Sequence, residues 1–149
     1  IALAWHGRRL GAMLVRPAQD HDIDTIADVF LASFRGLTFV PIIHTDDQIR
    51  TWITTEMAPS HEIWVAESAG EVVGFAALKG DLLGHLYVRP EGQSRGVGSA
   101  LVDVVKRKRP EGFRFYVFQR NERARRFYER HECRLIELGD EPDALYVWP

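Results

Sequence analysis

Val88-Arg89-Pro90-Glu91-Gly92-Gln93-Ser94-Arg95-Gly96-Val97-Gly98-Ser99-Ala100-Leu101 decides the fold: an apolar strand ends in a glycine-bearing turn that runs straight into an amphipathic helix. Such a junction is an anion cradle, because the first backbone N–H groups of a helix have no acceptor inside it and their partial positive charge favours a phosphate. Gly96 and Gly98 let the main chain approach a ligand with no Cβ in the way, and Arg95 adds a formal charge. On this reading Gly98 stands in open space, so a branched side chain there obstructs the ligand more than the fold. A G-x-G pair also fits a helix start built on structural glycines. The loop has neither the Gly-Lys-Ser/Thr ending of a P-loop nor the G-x-G-x-x-G spacing of a dinucleotide fingerprint.

Upstream, residues 13–16 read as a short strand, and Asp20 or Asp22 is placed to cap the helix after it. Ile23, Ile26, Ala27, Phe30, Leu31 and Phe34 fall at helical spacing, and Gly36 ends that helix. An apolar connection over 37–44, with Phe39, Pro41, Ile42 and Ile43, leads to Thr45-Asp46-Asp47-Gln48, whose T-x-x-Q spacing suits a capping box. The second helix turns Ile49, Trp52, Ile53 and Met57 inward and ends near Pro59. From residue 61 the period changes: 61–67, 71–78 and 82–88 read as strands, the first two joined by a tight turn at Ser68-Ala69-Gly70. Downstream, the cradle helix buries Val97, Leu101, Val104 and Val105 and stops before Pro110. Residues 113–118 form another strand, Asn121 opens a helix carrying Ala124, Phe127 and Tyr128, and strands over 133–138 and 144–148 complete the chain. The fold class is α+β, with a mixed, mostly antiparallel central sheet and helices on both faces.

Composition limits the function. At 149 residues with 46% apolar content the chain fits one domain over residues 13–149, and residues 1–12 read as an N-terminal extension or a vector remnant. A net charge of −2 gives no general electrostatic reason to bind nucleic acid or an anionic membrane, and no apolar run approaches a bilayer-spanning length. The basic run Lys106 to Arg109 suits the C-terminal end of a helix dipole. Cys133 is the single cysteine, so an intrachain disulfide is excluded, a cysteine-based metal site is not expected, and a reduced cytoplasmic setting fits.

Leu86-Tyr87-Val88, Gln93-Ser94-Arg95-Gly96-Val97-Gly98 and then Asn121, Ala124 and Phe127-Tyr128 occur in one order, and this set resembles the GNAT superfamily of acyl-CoA-dependent N-acyltransferases over roughly residues 13 to 148. The resemblance implies a three-layer GNAT-like fold and acetyl-CoA or coenzyme A as cosubstrate, with no metal. The pyrophosphate would lie on Gln93, Ser94, Arg95, Gly96, Val97, Gly98 and Ser99. The main chain of Leu86, Tyr87 and Val88, together with Asn121, would hold the pantetheine arm. Asn121 also reads as a helix N-cap, and both roles are compatible. Tyr128 matches the family's general acid, which protonates the departing thiolate; from the residues alone it is equally a core aromatic beside Ala124 and Phe127.

Side-chain bases in the family stand four or six residues before the valine, and here those positions are Gly84 and Leu82. His44, at the end of the apolar connection on the acceptor side, is the first candidate, because an imidazole suits proton removal near neutral pH. His85 is adjacent to the expected positions but of opposite strand parity, so it would need a bulge to re-aim it, and water is the third option. The family's turn glycine after the tyrosine helix is replaced by Glu132, and its phenylalanine by Cys133. A glutamate with φ > 0 costs roughly 1 kcal/mol or more and would displace Tyr128. The leading expectation is an N-acetyltransferase acting on a primary amine in a ternary complex, the acceptor being a small-molecule amine or a peptide N-terminus, with an amino acid side chain also open; the alternative is a non-catalytic acyl-CoA sensor on the same fold. A homodimer would use Tyr146 and Trp148 on an edge strand paired across a two-fold.

Overall fold

The structure is a computed structural model that describes residues 13–35, 37, 44–93, 95–140 and 142–149. The expectations about residues 1–12, Gly36, the apolar stretch 38–43 and Ser94 therefore lie outside the described residues. The described chain runs β1 (Leu14–Pro17), α1 (Ile23–Arg35), α2 (Asp46–Trp52), α3 (Ala58–Ser60), β2 (Glu62–Ser68), β3 (Glu71–Lys79), β4 (Leu82–Val88), α4 (Val97–Lys108), β5 (Phe113–Phe118), α5 (Glu122–Arg130), β6 (Arg134–Leu138) and β7 (Asp143–Trp148).

One seven-stranded sheet has the order β1-β2-β3-β4-β5-β7-β6. Every neighbouring pair is antiparallel except β4 and β5, which run parallel. The apolar stripe of α1 seats Ile26, Val29 and Phe30 on one face, against Ile53, Met57, Val65, Phe75 and Ala77. The other face carries α4 and α5, with Leu101, Val102, Val105 and Tyr128 packed on Ala66, Ala76, Leu78, Phe113, Phe115 and Tyr146. Adjacent strand residues such as Val65 and Ala66 feed opposite faces, as the pleat requires. Helices on both faces of a mostly antiparallel sheet are thus what the patterning predicts.

Four local readings need correction. Asp22 is not an N-cap; it lies in a short 3₁₀ turn (Asp20–Asp22) whose cap is Gln19, and its buried carboxylate accepts from Gln19 N–H at 2.7 Å. The same carboxylate takes Arg16 Nη1 and Nη2 at 2.8 and 3.0 Å, and Arg16 Nε reaches Glu67 at 2.5 Å. The second helix starts on the Thr45–Gln48 capping box as expected, but a π-turn over Ile53–Met57 rotates the chain. That rotation keeps Ile53 and Met57 fully buried and leaves Trp52 39% exposed.

The third correction concerns β7, which lies between β5 and β6 and so is no edge strand. Tyr146 is a core residue whose hydroxyl donates to Glu129 at 2.6 Å and accepts from Arg125 at 3.1 Å, so it offers nothing to a partner. The edge strand on this side of the sheet is β6, which is exposed along its length. The fourth is Gly98: a Cβ added there would stand 3.1 Å from the Phe127 ring, so this glycine serves helix packing as well as the loop.

Candidate active site

β4 and β5 register only at Leu82 opposite Arg114, and among the described residues no further ladder pair joins them. A cavity of about 860 Å³ opens beyond that point. Leu86, Tyr87 and Val88 form one wall, Gly96, Gly98 and Ser99 the end, and Asn121, Ala124, Phe127 and Tyr128 the opposite wall.

The backbone of β4 supplies polar groups to this space. Arg89 N–H donates to Val73 O at 2.8 Å, so the odd-numbered residues of β4 bond β3, and ladder alternation turns Leu86 and Val88 toward the unpaired side. Val88 O is already taken there by Ser33 Oγ at 2.7 Å and Gln93 Nε2 at 3.1 Å, which uses both lone pairs. Gln93 is therefore a brace of the loop, and Val88 offers a ligand its N–H alone. Ser33, a polar residue within the apolar stripe of α1, carries no sequence signal for this role.

At the cavity's end Gly96 adopts φ +86°, and a Cβ built on it meets nothing within 4 Å. The first intrahelical bond of α4 runs from Ala100 N to Gly96 O at 3.0 Å. The N–H groups of Val97, Gly98 and Ser99 are left without an acceptor inside the helix. Val97 itself is a core side chain, so only its main chain faces a ligand. Arg95 is exposed and, like Val97, does not line the cavity.

On α5, Asn121 Oδ1 accepts from Ala124 N–H at 3.1 Å, so the cap is made and the amide nitrogen stays free to donate. Tyr128 is buried against Phe115, with ring centroids 4.3 Å apart, and it lines the cavity. Burial pushes its phenol well above the usual tyrosine range, and the neighbouring Tyr87, itself pushed up to about 12 by burial, adds to the rise. Both phenols are hydrogen-bond donors at any working pH. Glu132 does take the left-handed conformation, at φ +69°. Cys133 N donates to Tyr128 O and Glu132 N to Glu129 O, both at 3.0 Å, which is a complete Schellman motif with glutamate in the glycine position. The turn holds its shape and Tyr128 keeps its place in the cavity wall. Cys133 is buried, and burial raises its thiol to about 11, consistent with a small core residue.

The two histidine candidates separate. His44 is exposed and absent from the cavity lining. A bulge does occur in β4: Ala77 faces His85 but Leu78 faces Leu83, so Gly84 is the extra residue. The bulge turns Leu83 toward α4 and leaves His85 on the face of Tyr87, among Phe30, Trp52 and His61. Burial, then the charge of His61, lowers His85 to about 4, its buried Nδ1 has no hydrogen-bond partner among the described residues, and His85 too is absent from the cavity lining. Residues that sequence reading gave no site role, Leu37, Pro90, Arg120, Glu122, Arg123 and Arg130, also line the cavity, with Ser33. Among the described residues no cluster of three or more His, Cys, Asp or Glu forms a metal site, and no helix is long and apolar enough to cross a membrane.

The splayed parallel pair, the glycine-led helix start and the tyrosine-bearing α5 meet in one cleft, and comparison with known proteins identifies the family that the chain and its fold match. The model of the acetyltransferase (GNAT) domain family matches residues 59–132. The chain belongs to this GNAT family of N-acetyltransferases. It is 27% identical over 143 residues to the peptidyl-lysine N-acetyltransferase YiaC of Escherichia coli K12, covering 91% of this chain and 97% of that one. An uncharacterized N-acetyltransferase of Archaeoglobus fulgidus is 28% identical over 144 residues, covering 85% of this chain and 97% of the relative. Among solved structures, the PaiA N-acetyltransferase of Thermoplasma acidophilum, in complex with coenzyme A, superimposes with a TM-score of 0.74 at 21% identity, over 91% of this chain and 97% of that one.

Proposed function

We propose that the protein transfers an acetyl group from acetyl-CoA to a primary amine, and that a peptide lysine is the acceptor class to test first. The observation that carries this reading is the cavity between β4 and α5, which joins an open left-handed glycine, three helix N–H groups without acceptors and a buried phenol. These features fit coenzyme A: a Cβ added at Gly96 meets nothing within 4 Å among the described residues, and the helix start complements a pyrophosphate. Leu86, the N–H of Val88 and the amide nitrogen of Asn121 offer hydrogen bonds to an extended arm with two amides. The lysine suggestion draws on the relationship to the E. coli peptidyl-lysine enzyme.

When bound, acetyl-CoA supplies an acetyl group activated as a thioester. Tyr128, buried in the cavity wall, would supply the proton that turns the departing thiolate into free CoA thiol as the amine nitrogen replaces sulfur on the carbonyl carbon. The nitrogen loses one proton to complete the amide, and solvent returns one to the phenol. His85, neutral and with an unpartnered Nδ1, is our candidate to receive the nitrogen's proton, because bond formation acidifies that nitrogen enough for a weak base. Neither His44 nor His85 lines the cavity; His85 is preferred because its ring stands 6.2 Å from that of Tyr87, which does. Tyr128 keeps its place in the wall despite Glu132, which favours the enzyme over a non-catalytic sensor, although Gly84 and Leu82 leave the family's base positions without a titratable side chain.

Thiol release from acetyl-CoA with lysine-containing peptides tests the proposal. Tyr128→Phe is expected to lower turnover roughly 10²-fold with CoA affinity nearly unchanged, and His85→Leu to lower turnover without loss of stability. Turnover unchanged in Tyr128→Phe would assign the phenol to packing.

A further inference from the structure

Ser99 lies in the first turn of α4 and lines the cavity, and its hydroxyl oxygen is 2.9 Å from Nε2 of His131. His131 follows the last turn of α5 and is fixed on three sides. Its ring packs on Phe127 with centroids 4.7 Å apart, its carbonyl accepts from Lys106 Nζ at 2.7 Å, and the Schellman turn begins directly after it. Phe127 in turn touches the Gly98 position. The start of α4 and the end of α5 are thus coupled through one hydroxyl–imidazole bond at the edge of the anion cradle.

That bond has two directions. If Nε2 accepts, the Ser99 proton points at the imidazole and the hydroxyl shows lone pairs to the cradle, which repels a phosphate. If Nε2 carries a proton, it donates to Ser99, and the hydroxyl proton is released toward the cavity. We propose that His131 is a cofactor-positioning residue that, through Ser99, makes the start of α4 a donor to the pyrophosphate of coenzyme A. The inference rests on the coenzyme A reading given above.

A protonated His131 satisfies the donor arrangement and adds a positive charge near the anion, so coenzyme A and a proton on this ring bind cooperatively. The charged groups that face the ring are Asp103 and Lys106 of α4, and Arg130 and Glu132 on its own segment. Asp103 and Glu132 favour the imidazolium, Lys106 and Arg130 oppose it, and burial is the largest influence, holding His131 below its ordinary value. Burial thus favours the neutral ring in the free protein, and the ring gains its proton as pH falls. Affinity is expected to strengthen in that direction, by at most about tenfold per pH unit for one proton.

Calorimetric titration of coenzyme A at pH 6, 7 and 8 tests this on the whole chain with His131→Gln, His131→Leu and Ser99→Ala, each checked for an unchanged melting transition. His131→Gln supplies an amide N–H that does not titrate, so it should keep the wild-type affinity at pH 8 within about twofold and lose the His131-dependent rise at pH 6. His131→Leu should lose roughly fivefold at pH 8 and also lose the rise, with little further loss when Ser99→Ala is added. The 3′-phosphate of the ligand titrates identically in every variant and cancels in the comparison. Equal affinities and pH slopes in the wild type and both His131 variants would overturn the inference while leaving the coenzyme A reading intact. No binding by the wild type at any pH would overturn both.

Discussion

Gly96→Ala separates the cost to the backbone from the cost to the ligand. Gly96 has φ +86°, and a methyl group there meets nothing within 4 Å, so the folded chain feels only left-handed strain, about 1 kcal/mol. For a domain of this size that strain lowers Tm by roughly 2–4 °C. The same methyl projects into the space in front of three N–H groups without helical acceptors. If a pyrophosphate belongs there, displacing it from one charge-assisted hydrogen bond costs about 1.5–3 kcal/mol, or roughly 10- to 150-fold in affinity. Gly70 is a matched control: φ is +81°, its Cβ position is equally empty, and it sits in the β2–β3 hairpin turn, away from the cavity lining. Gly70→Ala should reproduce the stability loss and leave coenzyme A binding untouched. Thermal melts without ligand and calorimetry with it measure the two quantities separately. Equal coenzyme A affinity in the two alanine variants would refute the cradle. Gly98→Ala cannot serve this purpose, because its methyl would push on Phe127 and disturb fold and site together.

Two predictions concern stability. Glu132→Gly relieves about 1–2 kcal/mol of left-handed strain, and the added chain entropy takes back about 0.5–1. The Lys106–Glu132 ion pair, 3.7 Å long with the glutamate side chain 83% exposed, contributes little, so the variant should gain up to about 1.5 kcal/mol; a lower melting temperature would contradict this. Asp22 sits below its ordinary carboxylate value, chiefly because Arg16 hydrogen-bonds it, and burial opposes that shift. A depressed folded-state pKa gives stability that is full above the unfolded value of about 4 and is lost as pH falls through the folded one. Asp22→Asn should cost on the order of 3 kcal/mol at pH 7 by leaving Arg16 with Glu67 alone, and the difference from wild type should shrink below about pH 4. A difference independent of pH in denaturant titrations would show that packing, not charge, accounts for it.

What the sequence reveals here is local. The α1 stripe, the Thr45–Gln48 box, the Asn121 cap and the strand bounds follow from periodicities and side chain to backbone bonds that span a few residues, and the structure reproduces them to within a residue or two. The cavity wall is partly of this kind, since Leu86 to Val88, the glycine turn and Tyr128 stand on elements with clear patterns. Spatial order is different. Nothing in the last forty residues states that β7 inserts between β5 and β6, because sequence order does not fix sheet order, and Tyr146 looks alike as an edge aromatic or as a core one. The contacts Ser33–Val88, Gly98–Phe127 and Ser99–His131 join elements distant in sequence, and each involves a residue type with an ordinary local explanation.

Gly84 shows how such a local ambiguity becomes a functional one. Counting by twos from Val88 assigns Leu86, Gly84 and Leu82 to one face and Tyr87, His85 and Leu83 to the other. Both sets contain apolar residues, so alternation alone accepts either register, and a one-residue slip exchanges the faces. The glycine resolves it by standing unpaired: Leu83 joins Leu86 and Val88 in the core beneath α4, and His85 stays with Tyr87 under α1. Without that extra residue the strand would bury either Leu83 beside the aromatic cluster or His85 in the α4 core, where an imidazole has no polar neighbour to meet. The bulge therefore lets one short strand finish the hydrophobic core with its first half and present a titratable ring and a row of unpaired backbone groups with its second. An isolated glycine in a strand is the sequence trace of that division. It explains why the proton-accepting position expected at Gly84 or Leu82 is empty while the residue next to them carries the imidazole.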